Sequence, residues 1–192
     1  MTTLGNGQRS RVPSGMKVAP TSYAKLEQAA GELWPLLPKQ AASSYIIDAQ
    51  RLLERTLPQA GFEPHVAEIK ELEDCAGFAI PEQGLVVLRH DVYEGLFKDS
   101  VFSRSTVVHE LAHIALAHHV TLHRGATLGQ HRFFEDSEWQ ANAMMAALMM
   151  PLEACNKARN AHELAEMCGT SVEAARYRLQ RLEEKEIIPK RR

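Results

Sequence analysis

Apolar positions recur with a helical period twice in the first third of the chain. Tyr23, Leu26, Ala30 and Leu33 fall on one face, and Pro35 and Pro38 close that segment. A second helix is predicted over residues 41–57, with Ile46, Ile47, Ala49, Leu52 and Leu53 inward and Pro58 and Gly61 ending it. The period then changes. Residues 62–72 alternate irregularly, as a strand can. Gly77-Phe78-Ala79-Ile80 and Leu85-Val86-Val87-Leu88 are short apolar runs on either side of the turn-forming Pro81-Glu82-Gln83-Gly84. Two or three antiparallel strands are expected here, followed by a short helical turn over residues 91–97.

From Ser103 onward the pattern is helical again. Val107, Val108, Leu111, Ala112, Ile114, Ala115 and Leu116 are apolar nearly all round, which predicts a central, buried helix. Residues 118–131 are polar, contain Gly125 and Gly129, and read as a loop. The next helix is expected over residues 134–150, stopped by Pro151. Its Met144, Met145, Met149 and Met150 read as core filling, with a share free to line an adaptable groove. Past a short helix, residues 161–184 read as a helix–turn–helix-like pair. Gly169 ends the first helix and Ser171 caps the second. Val172, Ala175 and Leu179 then face inward, and Arg176, Tyr177 and Arg178 partly outward. The expected fold class is α+β, with a small antiparallel or mixed sheet packed on helices. Its expected parts are a flexible tail over residues 1–20, a body over 21–151 and a helical segment over 152–192.

Composition narrows the function classes. With 192 residues, the chain is long enough for one domain with a real core, or for one domain plus a small appendage. A formal net charge of -2 leaves no basic footprint for nucleic acid or an anionic membrane. The apolar run around residues 141–152 is too short to span a bilayer. Residues 1–20 lack the apolar core of a signal peptide. Cys75, Cys155 and Cys168 are odd in number, and no Cys-x-x-Cys pair occurs. They read as reduced thiols in a cytoplasmic protein.

The chemistry lies on the buried helix. His109 and His113 stand one turn apart on one face, the spacing with which two imidazoles bind one zinc ion. Glu110 sits beside that position and can take a proton from an activated water. Holding two imidazoles and a carboxylate on a buried face is costly unless a partner such as a metal is present. A third ligand is expected from the following helix. Glu135, Asp136 and Glu138 are available there and His131 lies just before it; Glu138 is preferred, with Glu135 its rival. Asn142, one turn past Glu138, is expected to accept a ring N–H from a ligand histidine. For the oxyanion of a tetrahedral intermediate the candidates are His118, His119, His123, His131 and Tyr93.

Thr106-Val107-Val108-His109-Glu110-Leu111-Ala112-His113, then Glu138-Trp139-Gln140-Ala141-Asn142 and Leu148-Met149-Met150-Pro151, resemble the motifs of the ImmA/IrrE metallopeptidase family. The departures fall on packing positions: Ser105 where the family often has Phe, and Met144-Met145 in place of Phe-Ala. The resemblance implies a gluzincin-like, zincin-type domain with Zn2+ held by His109, His113 and Glu138, and Glu110 as the base. It implies an endopeptidase that cuts a helix-turn-helix transcriptional repressor and so switches on a prophage, a mobile element or a stress regulon. The alternative is a DNA-binding or repressor-binding regulator, as in toxin–antitoxin-like modules, with a structural or vestigial zinc. In that reading Arg176 and Arg178 would be the DNA contacts.

Overall fold

The computed structural model describes residues 14–42, 44–118 and 131–191. Ser22 opens the first helix, its side chain accepting from the Lys25 N–H at 3.3 Å, and α1 runs Tyr23–Leu33. The second helix begins later than its apolar pattern predicts. The Asp48 carboxylate accepts from the Arg51 N–H at 2.9 Å and caps α2, Ala49–Arg51. A π-helical turn, Leu52–Thr56, continues it into α3, Leu57–Gln59. Residues before Asp48 bend back on themselves instead, with the Gln40 N–H donating to the Ile46 carbonyl at 3.0 Å. Ile47 is thus buried from a non-helical position.

Three strands follow: β1 (Glu63–Ala67), β2 (Gly77–Ile80) and β3 (Leu85–Arg89), in the spatial order β1-β3-β2. β2 and β3 form the expected antiparallel hairpin, with Gly77 opposite Leu88. β1 departs from the antiparallel expectation: it runs parallel to β3, with Glu63 opposite Leu85. The chain reverses between β1 and β2 and again between β2 and β3, so the first and third strands point the same way. The fold is α+β, and the sheet is mixed.

Helix α4 (His90–Leu96) leads into α5 (Val101–Ala115), the predicted central helix. Val107, Val108 and Ala112 of α5 are fully buried. α5 packs against β2 on one side and against α6 (Ser137–Met149) on the other, and α1 covers α6. These elements share one apolar core. Three more helices, α7 (Leu152–Lys157), α8 (Ala161–Cys168) and α9 (Val172–Glu184), build a second core around Ala154, Leu164, Ala175 and Leu182. Gly169 ends α8 at φ 60°, the left-handed position glycine adopts without strain, and the Ser171 hydroxyl caps α9.

Two expectations change here. Arg178 faces inward and is 1% exposed. It occupies the same helical stripe as Ala175, Leu179 and Leu182, so the spacing that buries those residues buries it too. Its Nη2 donates to Glu27 Oε2 at 2.8 Å, its Nη1 to Glu27 Oε1 and the Tyr23 hydroxyl, and its Nε to the Met150 carbonyl at 3.1 Å. The second change concerns residues 14–20, expected as the end of a flexible tail. They lie against the start of α6. The Ser137 N–H donates to the Met16 carbonyl at 3.0 Å and the Val18 N–H to the Glu135 carbonyl at 2.7 Å. The Gly15 N–H donates to Asp136 Oδ2 at 2.8 Å. A Cβ on Gly15 would stand 2.7 Å from the Glu138 nitrogen, so this approach needs glycine.

Candidate metal centre

Two adjacent helices build the site. α5 presents His109 and His113 one turn apart, and the first turn of α6 brings Glu138 across to them. His109 Nε2 lies 3.2 Å from Glu138 Oε2, and His113 Nε2 lies 3.3 Å from Glu138 Oε1. The two Nε2 atoms are 3.0 Å apart. Among the described residues these three side chains form a group able to hold a metal ion. The spacing suits that use. In a tetrahedral zinc site with bonds of about 2.0–2.1 Å, neighbouring ligand atoms lie about 3.3 Å apart. Two neutral imidazole nitrogens facing each other repel unless a proton or a cation stands between them.

The electrostatics agree with the geometry. The close contacts of His109 and then His113 hold the Glu138 carboxyl far below the usual carboxylate range, so it is ionised. Burial pulls the His109 imidazole down, but the Glu138 hydrogen bond and the charges of Glu110 and Glu138 outweigh it and leave its pKa raised. Glu110 is 5% exposed, lies within electrostatic reach of His109, His113 and Glu138, and takes a backbone hydrogen bond from Ala79 of β2. Burial raises its pKa against the pull of the two histidines.

The remaining candidates are placed elsewhere. Glu135 accepts from the Arg132 N–H at 3.1 Å and pairs with Lys17, so it serves the turn before α6. Asp136 caps α6 by accepting from the Trp139 N–H at 2.8 Å. Asn142 is exposed, and its Nδ2 donates to the Glu138 carbonyl at 2.8 Å. Its amide nitrogen is therefore engaged one turn back on its own helix. Of the oxyanion candidates, Tyr93 donates to Glu54 at 2.8 Å and His131 pairs with Asp136 at 2.9 Å. His118 is buried behind His113, with 3.1 Å between their Nδ1 atoms. His119 and His123 lie outside the described residues.

Gln140 is the residue the motif reading passed over. It is 3% exposed, and its Oε1 lies 3.0 Å from His118 Nε2. A signal existed: Gln140 shares a stripe with Met144, Ala147 and Leu148, all buried, and a polar group on such a stripe needs partners.

An apolar groove of about 470 Å³ opens beside the centre, between α5, α6 and α9. Phe133, Trp139, Met145, Met149, Tyr177 and Arg181 line it, and it begins at Ser105 and Asn142, each one helical turn from a residue of the triangle. The three converging side chains are not part of its lining. Among the described residues no helix is long and apolar enough to cross a membrane.

Residues 99–180 match the family model described as the IrrE N-terminal-like domain, Peptidase_M78. The match spans both helices of the site and bears out the resemblance carried by the two motifs. No curated protein matches the chain.

Proposed function

We propose, from the match of residues 99–180 to the IrrE N-terminal-like domain, Peptidase_M78, that this chain is a zinc-dependent endopeptidase of the cytoplasm whose substrate is a helix-turn-helix transcriptional repressor. The observation that carries the reading is the convergence of His109, His113 and Glu138 at tetrahedral ligand spacing, with the buried Glu110 beside them. His109, His113 and Glu138 would hold the ion; two nitrogens and one carboxylate oxygen are a donor set that zinc accepts. The chemistry a bound zinc supplies is Lewis acidity toward water and the scissile carbonyl.

The proton work falls to Glu110. Its carboxylate takes the proton of the attacking water and passes it to the departing amine nitrogen. Burial makes that carboxylate a stronger base than an exposed one, nearer to what neutral-pH proton transfer requires. The backbone bond from Ala79 fixes one side of the carboxylate against β2. Tyr93, His118 and His131 are engaged elsewhere, and the remaining oxyanion candidates, His119 and His123, lie outside the described residues. The apolar groove supports a peptide substrate, since it offers side-chain room one turn from the reacting centre. The repressor as substrate rests on the family resemblance.

The test is direct. The chain is incubated with zinc and the helix-turn-helix protein encoded beside it, and fragments are mapped. Cleavage by the wild type and none by Glu110→Gln is expected. Equal cleavage by both would remove the mechanism. The DNA-binding alternative keeps a helix–turn–helix-like shape in α8 and α9, yet Arg178 is buried on Glu27 and only Arg176 of its two expected contacts is exposed. Salt-dependent, sequence-specific DNA binding lost in Arg176→Ala would restore it.

A further inference from the structure

We propose that His118 and Gln140 are positioning residues for this centre: together they lock His113 in the tautomer whose Nε2 lone pair points at the metal position. The inference rests on the metal-centre reading above and adds the residues that make one of its ligands ready to bind.

The direction of each bond follows from the far end of the chain of contacts. Gln140 Nε2 lies 2.9 Å from the Ala19 carbonyl and 2.9 Å from the Phe134 carbonyl. Carbonyl oxygens only accept, so the amide nitrogen faces them and donates both of its hydrogens. Gln140 Oε1 is then an acceptor, and the group before it, His118 Nε2 at 3.0 Å, must donate. A neutral His118 ring carries a single proton, and the contact with the Gln140 oxygen places it on Nε2. Its Nδ1 is left as an acceptor. The partner at 3.1 Å, His113 Nδ1, must therefore donate. A neutral His113 with its proton on Nδ1 has its lone pair on Nε2, the atom facing His109 and Glu138.

The backbone is bent to make this contact. α5 ends with Ala117 at φ 50°, in the left-handed region, and the His118 N–H returns to the His113 carbonyl at 3.0 Å. That closure is the usual helix ending, but it carries alanine where glycine is the unstrained choice. It turns the His118 ring under the His113 ring, with centroids 5.1 Å apart. The segment before α1 takes part as well, since Ala19 supplies one of the two carbonyls that orient Gln140.

Two measurements decide the proposal. The first is a long-range proton–nitrogen NMR spectrum of the metal-free protein at neutral pH, which reads the tautomer of each neutral imidazole. His113 protonated on Nδ1 and His118 protonated on Nε2 are expected; His113 protonated on Nε2 overturns the relay. The second is zinc affinity by competition with a chelator. His118→Phe and Gln140→Leu are each expected to weaken zinc binding roughly 10- to 100-fold, the usual effect of losing the partner of a ligand histidine. The double variant should be no weaker than His118→Phe, because the two act in series. His118→Gln, which keeps an acceptor for the Nδ1 hydrogen, should retain most of the affinity. Wild-type affinity in His118→Phe overturns the proposal. A wild type that takes up no zinc contradicts the metal-centre reading instead, and the tautomer spectrum, which needs no metal, still decides the relay.

Discussion

Two regions of this molecule bury charged and polar side chains, and they do so to opposite ends. In the α9 region the guanidinium of Arg178 is matched group by group: Glu27, Tyr23 and the Met150 carbonyl take its hydrogens. At 1% exposure the group is closed to a ligand. In the α5–α6 region His109, His113 and Glu138 turn their acceptor atoms toward one another at 3.0–3.3 Å. What the first region satisfies internally, the second leaves for a cation. Burial alone therefore does not mark a site; what distinguishes one is convergent acceptors without enough donors among them.

The sharpest way to break this contrast is in the second region. Glu110→Gln should cut peptidase activity by about 10²–10⁴-fold, the range ascribed to a positioned base. Zinc content and thermal stability should remain at wild-type level. A parallel loss of zinc would mean that Glu110 serves the site as a ligand rather than as the base.

In the first region the largest effect should be on stability. Arg178→Met leaves Glu27 ionised and buried without its partner, a loss of about 3–5 kcal/mol. The paired change Glu27→Leu with Arg178→Met should recover most of it, since an apolar pair avoids the desolvation of both charges. Denaturant unfolding measures both. Zinc affinity of the folded protein should not move in either variant; if it did, the two regions would not be separable.

A smaller effect joins the regions at the start of α6. Gly15→Ala forces a methyl against Ser137 Oγ and the Glu138 nitrogen. A stability loss of about 1–3 kcal/mol is expected for such overpacking, together with weaker zinc binding, because Glu138 sits at the point of contact. Unchanged melting temperature and zinc affinity would show that residues 14–20 do not brace the site.

The smallest effect concerns the thiols. Cys155 and Cys168 are buried in the second core, and burial raises both, with Cys168 pushed up to about 12. A raised thiol pKa keeps the group protonated, and the thiolate is the reactive form. At about pH 8 a thiol reagent should label the exposed Cys75 alone in the folded protein. Rapid labelling of all three would show that the second core opens readily.

Much of this was legible in the residues. The apolar surround of α5 announced a central helix, and the spacing of His109 and His113 announced that their rings would meet on one face. Glu138 was singled out from its place on the next helix, and the structure brings it to the two histidines. The sheet was legible only locally. The β2–β3 hairpin follows from its turn residues, whereas the parallel pairing of β1 with β3 depends on a partner 22 positions away in register and leaves no local trace. The charge of Arg178 suggests an outward position, but its register with Ala175, Leu179 and Leu182 buries it. Residues 14–20 look like a tail by composition, but their order comes from backbone bonds to α6, which composition does not encode. His118 reaches His113 only through the left-handed Ala117, where the sequence offers no glycine to signal the turn.

On the proposed reading, His109, His113 and Glu138 hold a catalytic zinc. Elemental analysis of the purified wild type, Glu110→Gln and Glu138→Ala tests it most directly. Equimolar zinc in the first two and its loss in Glu138→Ala, with each variant folded by circular dichroism, is the predicted result. A folded wild type without zinc after incubation with the metal, or a Glu138→Ala protein that keeps a full complement, would contradict it.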